Sequence, residues 1–219
     1  MLASVLLSVV LQSQSAAPPK DAIVLFDGKD ASAWVQDDGS PCKWNIVNGA
    51  LEVNPQATSI HTKQEFGDYK LHLEFWLPKL PDNVKSQGRA NSGVYNHGRY
   101  EIQVLDSYKN PTYKYGGVGG LYSQKDPDRN AIKPPEQWNT YDIEFKAPRF
   151  WSDGFVKSAP VITVWHNGIL IHDNVTITTY WNEARKNTKD WTKLKTGPIL
   201  LQNHGNKVRF RNIWIVPGK

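Results

Sequence analysis

The sequence predicts an all-β domain, a sandwich of two antiparallel sheets of the jelly-roll kind. Three observations carry that expectation. The 219 residues include nine Trp, nine Tyr and seven Phe, with 16 Gly and 14 Pro to make turns. Aromatic residues favour strands, and turn-rich chains favour sandwiches and barrels. Apolar residues alternate with polar ones in about ten short segments bounded by turn residues. There is no βαβ alternation and no G-x-G-x-x-G or G-x-x-x-x-G-K motif, so nothing points to a nucleotide-binding α/β fold.

The chain opens with residues 1–17, which carry no charge, and Leu2 to Leu11 is almost wholly apolar. That core is too short for a membrane span, which needs about 20 apolar residues. A signal peptide is therefore expected over 1–17, with small residues for cleavage at Ser13-Gln14-Ser15 or Ser15-Ala16-Ala17. One soluble domain over 18–219, secreted or periplasmic, follows. Trp44 to Val53 reads as a hairpin about Asn48-Gly49, both of which accept positive φ. In Asp68 to Leu77, Tyr69, Leu71, Leu73 and Phe75 share one face, and Lys70, His72, Glu74 and Trp76 the other. Ser92 to Asn96 and Arg99 to Leu105 pair about His97-Gly98. Trp138 to Lys146, Val161 to Trp165, Ile169 to Asp173, Ile199 to Gln202 and Val208 to Val216 complete the strands. The one helical candidate runs over Trp181 to Trp191. The long loops 78–90, 107–137 and 174–197 are where binding residues are expected.

Composition excludes several functions. A formal charge of +5 and a pI near 9.1 invite nucleic acid. The basic residues are dispersed, however, and the denser run from Arg185 to Lys195 accompanies no RNP, helix-turn-helix or zinc-finger pattern. The single Cys42 rules out an intramolecular disulfide framework and a Cys-rich zinc module, and a buried thiol is expected there. No H-E-x-x-H occurs, and Asp126-Pro127-Asp128 lacks the Gly and terminal Glu of an EF-hand. No metal and no cofactor is expected, a calcium ion on loop carboxylates being left open. No G-x-S-x-G nucleophile elbow is present.

Four polar clusters are candidates for chemistry. On a strand over 99–105, Glu101 and Gln103 share the face opposite the apolar Tyr100, Ile102 and Val104; Asn91 precedes them and Asp106 follows. His72, Glu74 and Trp76 form the polar face of their own strand. Gln202 and His204 lie two apart near the end of the chain. Arg209 and Arg211 alternate with Phe210 on the last strand. Carboxyls and imidazoles supply general acids and bases, and Trp and Tyr supply faces on which sugars stack. His61 and His166 read as structural.

Five segments in order resemble a known family: Leu25-Phe26-Asp27-Gly28-Lys29 with Trp34; Trp44 to Leu51; Asn91-Ser92-Gly93-Val94 with Tyr100 to Asp106; Trp138-Asn139-Thr140-Tyr141; and Gly197 to Gly205 with Val208 to Ile213. Over about residues 23–216 the chain resembles the 3-keto-disaccharide hydrolase family, also described as 3-keto-glycoside 1,2-lyase and 3-keto-2-hydroxyglucal hydratase domains. Ala31-Ser32-Ala33 replaces the usual Leu before Trp34, and the insert from Pro148 to Ala159 replaces a short turn.

The resemblance implies a concanavalin A-like β-sandwich and bacterial sugar degradation. A ketone at carbon 3 of a sugar acidifies the proton on carbon 2, so a base can remove it while the oxygen on carbon 1 departs; water then adds back. Glu101 and His204 are the acid and base candidates in either order, with Asp106 a second acid. Arg211, Gln103 or Asn91 stabilise the enolate or hold hydroxyls, and Gln202, Glu74 and Trp76 complete the substrate-binding set. The partner expected is a small-molecule or oligosaccharide substrate, with no nucleic acid and no membrane span; the oligomeric state is open. Two rivals stand beside this reading. One is a conventional hydrolase using Glu74 and Glu101 as paired carboxylates, and the other is a noncatalytic carbohydrate-binding module.

Overall fold

The structure is a computed structural model that describes residues 16–153, 155–178 and 195–218. The candidate helix over 181–191 and the leader through Ser15 lie outside the described residues. Fifteen strands are named: β1 Ile23–Phe26, β2 Trp34–Gln36, β3 Asn45–Val47, β4 Ala50–Glu52, β5 Ile60–Thr62, β6 Tyr69–Trp76, β7 Ser92–Asn96, β8 Tyr100–Val104, β9 Trp138–Lys146, β10 Arg149–Phe150, β11 Val156–Ser158, β12 Val161–His166, β13 Ile169–Thr176, β14 Leu200–Leu201 and β15 Arg209–Pro217. The predicted all-β sandwich is what the chain forms. The alternating segments became β3–β4, β6 to β9 and β12 to β15. The short β1, β2 and β5 were not anticipated, because three or four residues carry little periodicity. The insert after Pro148 is a small hairpin of its own, β10–β11.

The larger sheet has the order β13-β12-β9-β6-β15-β4-β3, with β1 also paired to β15. The smaller sheet has the order β2-β5-β14-β7-β8, and all named pairings are antiparallel. Turn chemistry sets the registers of the local hairpins. Asn48 and Gly49 take φ of 51° and 74°, and His97 and Gly98 take 53° and 61°, the double positive φ that matches the twist of paired strands.

The core lies between the two sheets. Leu71, Leu73, Phe75, Ile143, Phe145 and Phe210 of the larger sheet meet Val94, Tyr100, Ile102, Val104 and Leu201 of the smaller, all buried. Polar pegs cross the same layer: Tyr69 Oη donates to Asn96 Oδ1 at 2.9 Å, and Tyr141 Oη to the Gln103 carbonyl at 2.7 Å. Each sheet therefore has one inward and one outward face, and the two outward faces lie on opposite sides of the molecule. Cys42 is only partly buried, against the expectation of a sealed thiol. It packs beside the core rather than inside it.

The long loop 107–137 is not free of the sheets. Residues 119–122 run along the outer edge of β8: Gly119 N donates to the Gln103 carbonyl, Gln103 N to that of Gly120, and Tyr122 N to that of Glu101. His172 on β13 reaches the Gly119 carbonyl at 2.7 Å. The loop is thus tied to both sheets beside Glu101 and Gln103.

Candidate active site

Strand pairing assembles the site on the outward face of the smaller sheet. Glu101 pairs with Tyr95 and Gln103 with Gly93. Gln202 N donates to the Gly93 carbonyl, one step beyond the pairing of Leu201 with Val94. Directly paired residues share a face, so Gln202, Gly93 and Gln103 form one row across β14, β7 and β8. Leu200, Tyr95 and Glu101 form the next. Asn91, two residues before Gly93, closes the group.

Gly93 is the floor. A β-carbon there would lie 2.3 Å from Glu101 Oε1, 3.0 Å from Glu101 Cδ and 2.9 Å from Tyr95 Cε2, so the space that a side chain needs is filled by the carboxyl. Glu101 is 3% exposed and, among the described residues, faces no cation. Its Oε2 accepts from Tyr95 Oη at 2.8 Å, and Gln202 Nε2 donates to the same phenol oxygen at 3.1 Å. Burial pushes the Glu101 carboxyl up to about 8, against a smaller opposing effect of the phenol hydrogen bond. The group is protonated at neutral pH, since burial disfavours the charged form.

A second chain of bonds orients the amides. Gln87 Nε2 donates to the Gly116 carbonyl at 2.7 Å and to Thr112 Oγ1 at 2.8 Å. A carbonyl can only accept, which fixes Gln87 Oε1 on the other side. That oxygen takes Asn91 Nδ2 at 3.0 Å and Gln103 Nε2 at 3.2 Å. Both amide nitrogens thus have a partner in Gln87, and the buried oxygens of the group left without one among the described residues are Asn91 Oδ1, Gln103 Oε1 and Gln202 Oε1. Asn91 is therefore set to receive a hydroxyl and not to donate to an enolate, whereas Gln103 presents its oxygen to a hydroxyl and keeps a second N–H beyond the one given to Gln87.

The other sequence candidates fall elsewhere. Asp106 is fully buried beyond the end of β8, where its Oδ2 accepts from Arg89 Nε at 2.6 Å and its Oδ1 from Tyr108 N. It ties loop 78–90 to the sheet and is no free acid. Glu74, Trp76 and Arg211 are not part of this group at all. They lie on the outward face of the larger sheet, on the far side of the sandwich, where Glu74 Oε2 accepts from Arg211 Nε at 2.7 Å. His204 is exposed on the turn after β14, where Gly205 N donates to Asn203 Oδ1; β14 ends at Leu201, so strand alternation does not carry it over Glu101. His61 projects from the same face as Glu101 but on β5, beyond β14 and β7. His166 is sealed in the core against Phe75 and Tyr141.

Sequence reasoning missed Gln87, Gly93, Tyr95 and Tyr122. Pairing the expected hairpin about His97-Gly98 puts Tyr95 against Glu101 and Gly93 against Gln103, so two of the four were within reach. Gln87 and Tyr122 come from long loops and had no such signal. Tyr122, beside Glu101 by its backbone bond, meets Tyr113 hydroxyl to hydroxyl. Tyr113, Asn110, Thr112, Lys114 and Asn130 line an adjoining cavity of about 620 Å³. Among the described residues no group of three or more His, Cys, Asp and Glu converges to hold a metal, and no helix is long and apolar enough to cross a membrane.

The pattern of the 3-keto-alpha-glucoside-1,2-lyase-like domain matches residues 21–216. The chain belongs to this family. A candidate glycosyl hydrolase from Parabacteroides distasonis has 38% identity to this member of the 3-keto-alpha-glucoside-1,2-lyase-like family, with a TM-score of 0.83 over 95% of each chain. Two further candidate glycosyl hydrolases of that organism share the fold. One is 20% identical with a TM-score of 0.63, covering 91% of this chain and 95% of its own; the other is 22% identical with a TM-score of 0.58, covering 89% and 98%. No curated protein matches the sequence.

Proposed function

We propose that this protein cleaves the glycosidic bond of 3-keto-glycosides by elimination, with rehydration giving net hydrolysis. Family membership and the 38%-identical neighbour support glycoside cleavage. The observation that carries the finer reading is Glu101, a buried carboxyl with no cation beside it among the described residues, held protonated on a floor of acceptor amides. A base removes the carbon 2 proton, and that bonding pair becomes the carbon 1–carbon 2 double bond. The carbon 1–oxygen pair leaves with the oxygen, which takes the proton of Glu101. Rehydration adds water across the double bond and leaves the carboxyl protonated again. General acid catalysis of this kind contributes roughly 10²–10⁴-fold.

Asn91 Oδ1, Gln103 Oε1 and Gln202 Oε1 receive sugar hydroxyls. The cavity beside Tyr113 takes the departing portion of the substrate. His204, on the exposed turn that follows Gln202, is assigned as the base. Among the described residues a conventional two-carboxylate mechanism finds no second carboxylate in this group, because Glu74 lies across the sandwich and Asp106 is held by Arg89. A location in the periplasm or outside the cell is part of the same proposal, supported by the apolar, uncharged residues 1–17.

The test is a side-by-side assay of a glucoside and its 3-keto derivative in deuterated water. Turnover of the keto sugar alone, with deuterium entering at carbon 2, is expected. Cleavage of the parent glucoside without exchange rejects elimination. In the same assay His204→Ala should lower the rate by roughly 10²–10⁴-fold if it is the base.

A further inference from the structure

On the reading of Glu101 as the proton donor, we propose that Tyr95 and Gly93 are positioning residues that decide which carboxyl oxygen faces the substrate. Three observations converge. Tyr95 Oη points its proton at Oε2, because its own oxygen is already taken by Gln202 Nε2. An oxygen accepting that bond is the poorer place for the carboxyl's own proton, so the proton sits on Oε1. Oε1 is the oxygen lying across Gly93, in the volume where any side chain at 93 would stand.

Gly93 is required for space and not for backbone freedom. It lies inside β7 and is not among the positive-φ glycines. An alanine there fits the strand but drives the carboxyl away, a collision of 2.3 Å that the buried Glu101 and Tyr95 must absorb. The unpartnered Asn91, Gln103 and Gln202 oxygens surround the same floor. A sugar held by its hydroxyls on those oxygens rests against Oε1 and not against Oε2.

The phenol also sets the ionisation of the acid. A hydrogen bond to the charged form favours that form, so Tyr95 offsets part of the upward push that burial gives Glu101. Tyr95→Phe keeps the ring and removes the bond. The Glu101 carboxyl band, assigned by its loss in Glu101→Gln, can be titrated by infrared difference spectroscopy without any substrate. Tyr95→Phe should move that titration to higher pH, move the alkaline limb of the rate profile with it, and lower kcat by about 10- to 100-fold with little change in KM.

Gly93→Ala should abolish most activity, and the double variant Gly93→Ala/Glu101→Gln should be no slower than Glu101→Gln alone, as expected of residues acting as one unit. An unchanged Glu101 titration in Tyr95→Phe overturns the proposal, as does a Gly93→Ala enzyme of normal rate. A titration that moves while Glu101→Gln keeps full turnover leaves the positioning in place and rejects Glu101 as the proton donor.

Discussion

The two outward faces of this sandwich each bury a carboxylate, and they use it differently. Glu74 on the larger sheet and Glu101 on the smaller are both 3% exposed. Glu74 faces a cation: Arg211 Nε donates at 2.7 Å and Asn212 Nδ2 at 3.1 Å, with the Arg211 guanidinium 3.9 Å from the centre of the Trp138 ring. The next rung repeats the device, with Glu52 accepting from Arg209, which lies over Trp76. Glu101 has a phenol where Glu74 has a guanidinium. A paired charge is a fastening between strands; an unpaired one must keep its proton or lose stability. The proposed function rests on that contrast and not on burial, which is the same on both.

The contrast is broken most decisively by exchanging each glutamate for its neutral isostere. Glu101→Gln should lower turnover by roughly 10²–10⁴-fold without loss of stability. Glu74→Gln should leave turnover per folded molecule unchanged while costing about 1–3 kcal/mol in urea denaturation, since Arg211 loses its charged partner. A Glu74→Gln enzyme that is stable and inactive would move the site to the other face.

The pH dependence of stability sharpens the same point. The folded-state pKa of Glu101 is raised from an ordinary 4.5 to about 8, so across that window the native state holds a proton that the unfolded chain has released. Stability therefore declines as pH rises through the window and levels off above it. Melting temperatures followed from about pH 5 to about pH 9 should show this decline in the parent and less of it in Glu101→Gln. Equal slopes in the two proteins would mean that Glu101 is not the group held protonated.

The smallest effect is expected on the ladder itself. Arg209→Lys keeps the charge opposite Glu52 and loses the planar contact with Trp76, a difference of about 0.5–1 kcal/mol. Turnover should not change. A loss of activity in this variant would show that the two faces are coupled.

Much of the site could be read along the strand. Alternation set Glu101 and Gln103 apart from Tyr100, Ile102 and Val104, and the His97-Gly98 turn paired them with Tyr95 and Gly93. It also grouped His72, Glu74 and Trp76 correctly on one face of β6. What alternation cannot state is which side of the molecule a polar face looks towards, and there the expectation that Glu74, Trp76 and Arg211 join Glu101 was wrong. Asp106 was misjudged for a related reason: a carboxylate in sequence carries no sign of the arginine that loop 78–90 brings to it.

By itself the sequence determined the fold class, the strand faces, the hairpin turns and the family, because these rest on periodicity and on local residue order. Only the tertiary structure decided which strands are neighbours, that Gln202 meets Gly93 from more than a hundred residues away, and which buried glutamate lacks a cation among the described residues. The physical reason is that a side chain's charge state and free hydrogen-bonding atoms depend on every group packed against it. Those groups are chosen by sheet order and loop closure over long separations, which no local pattern encodes.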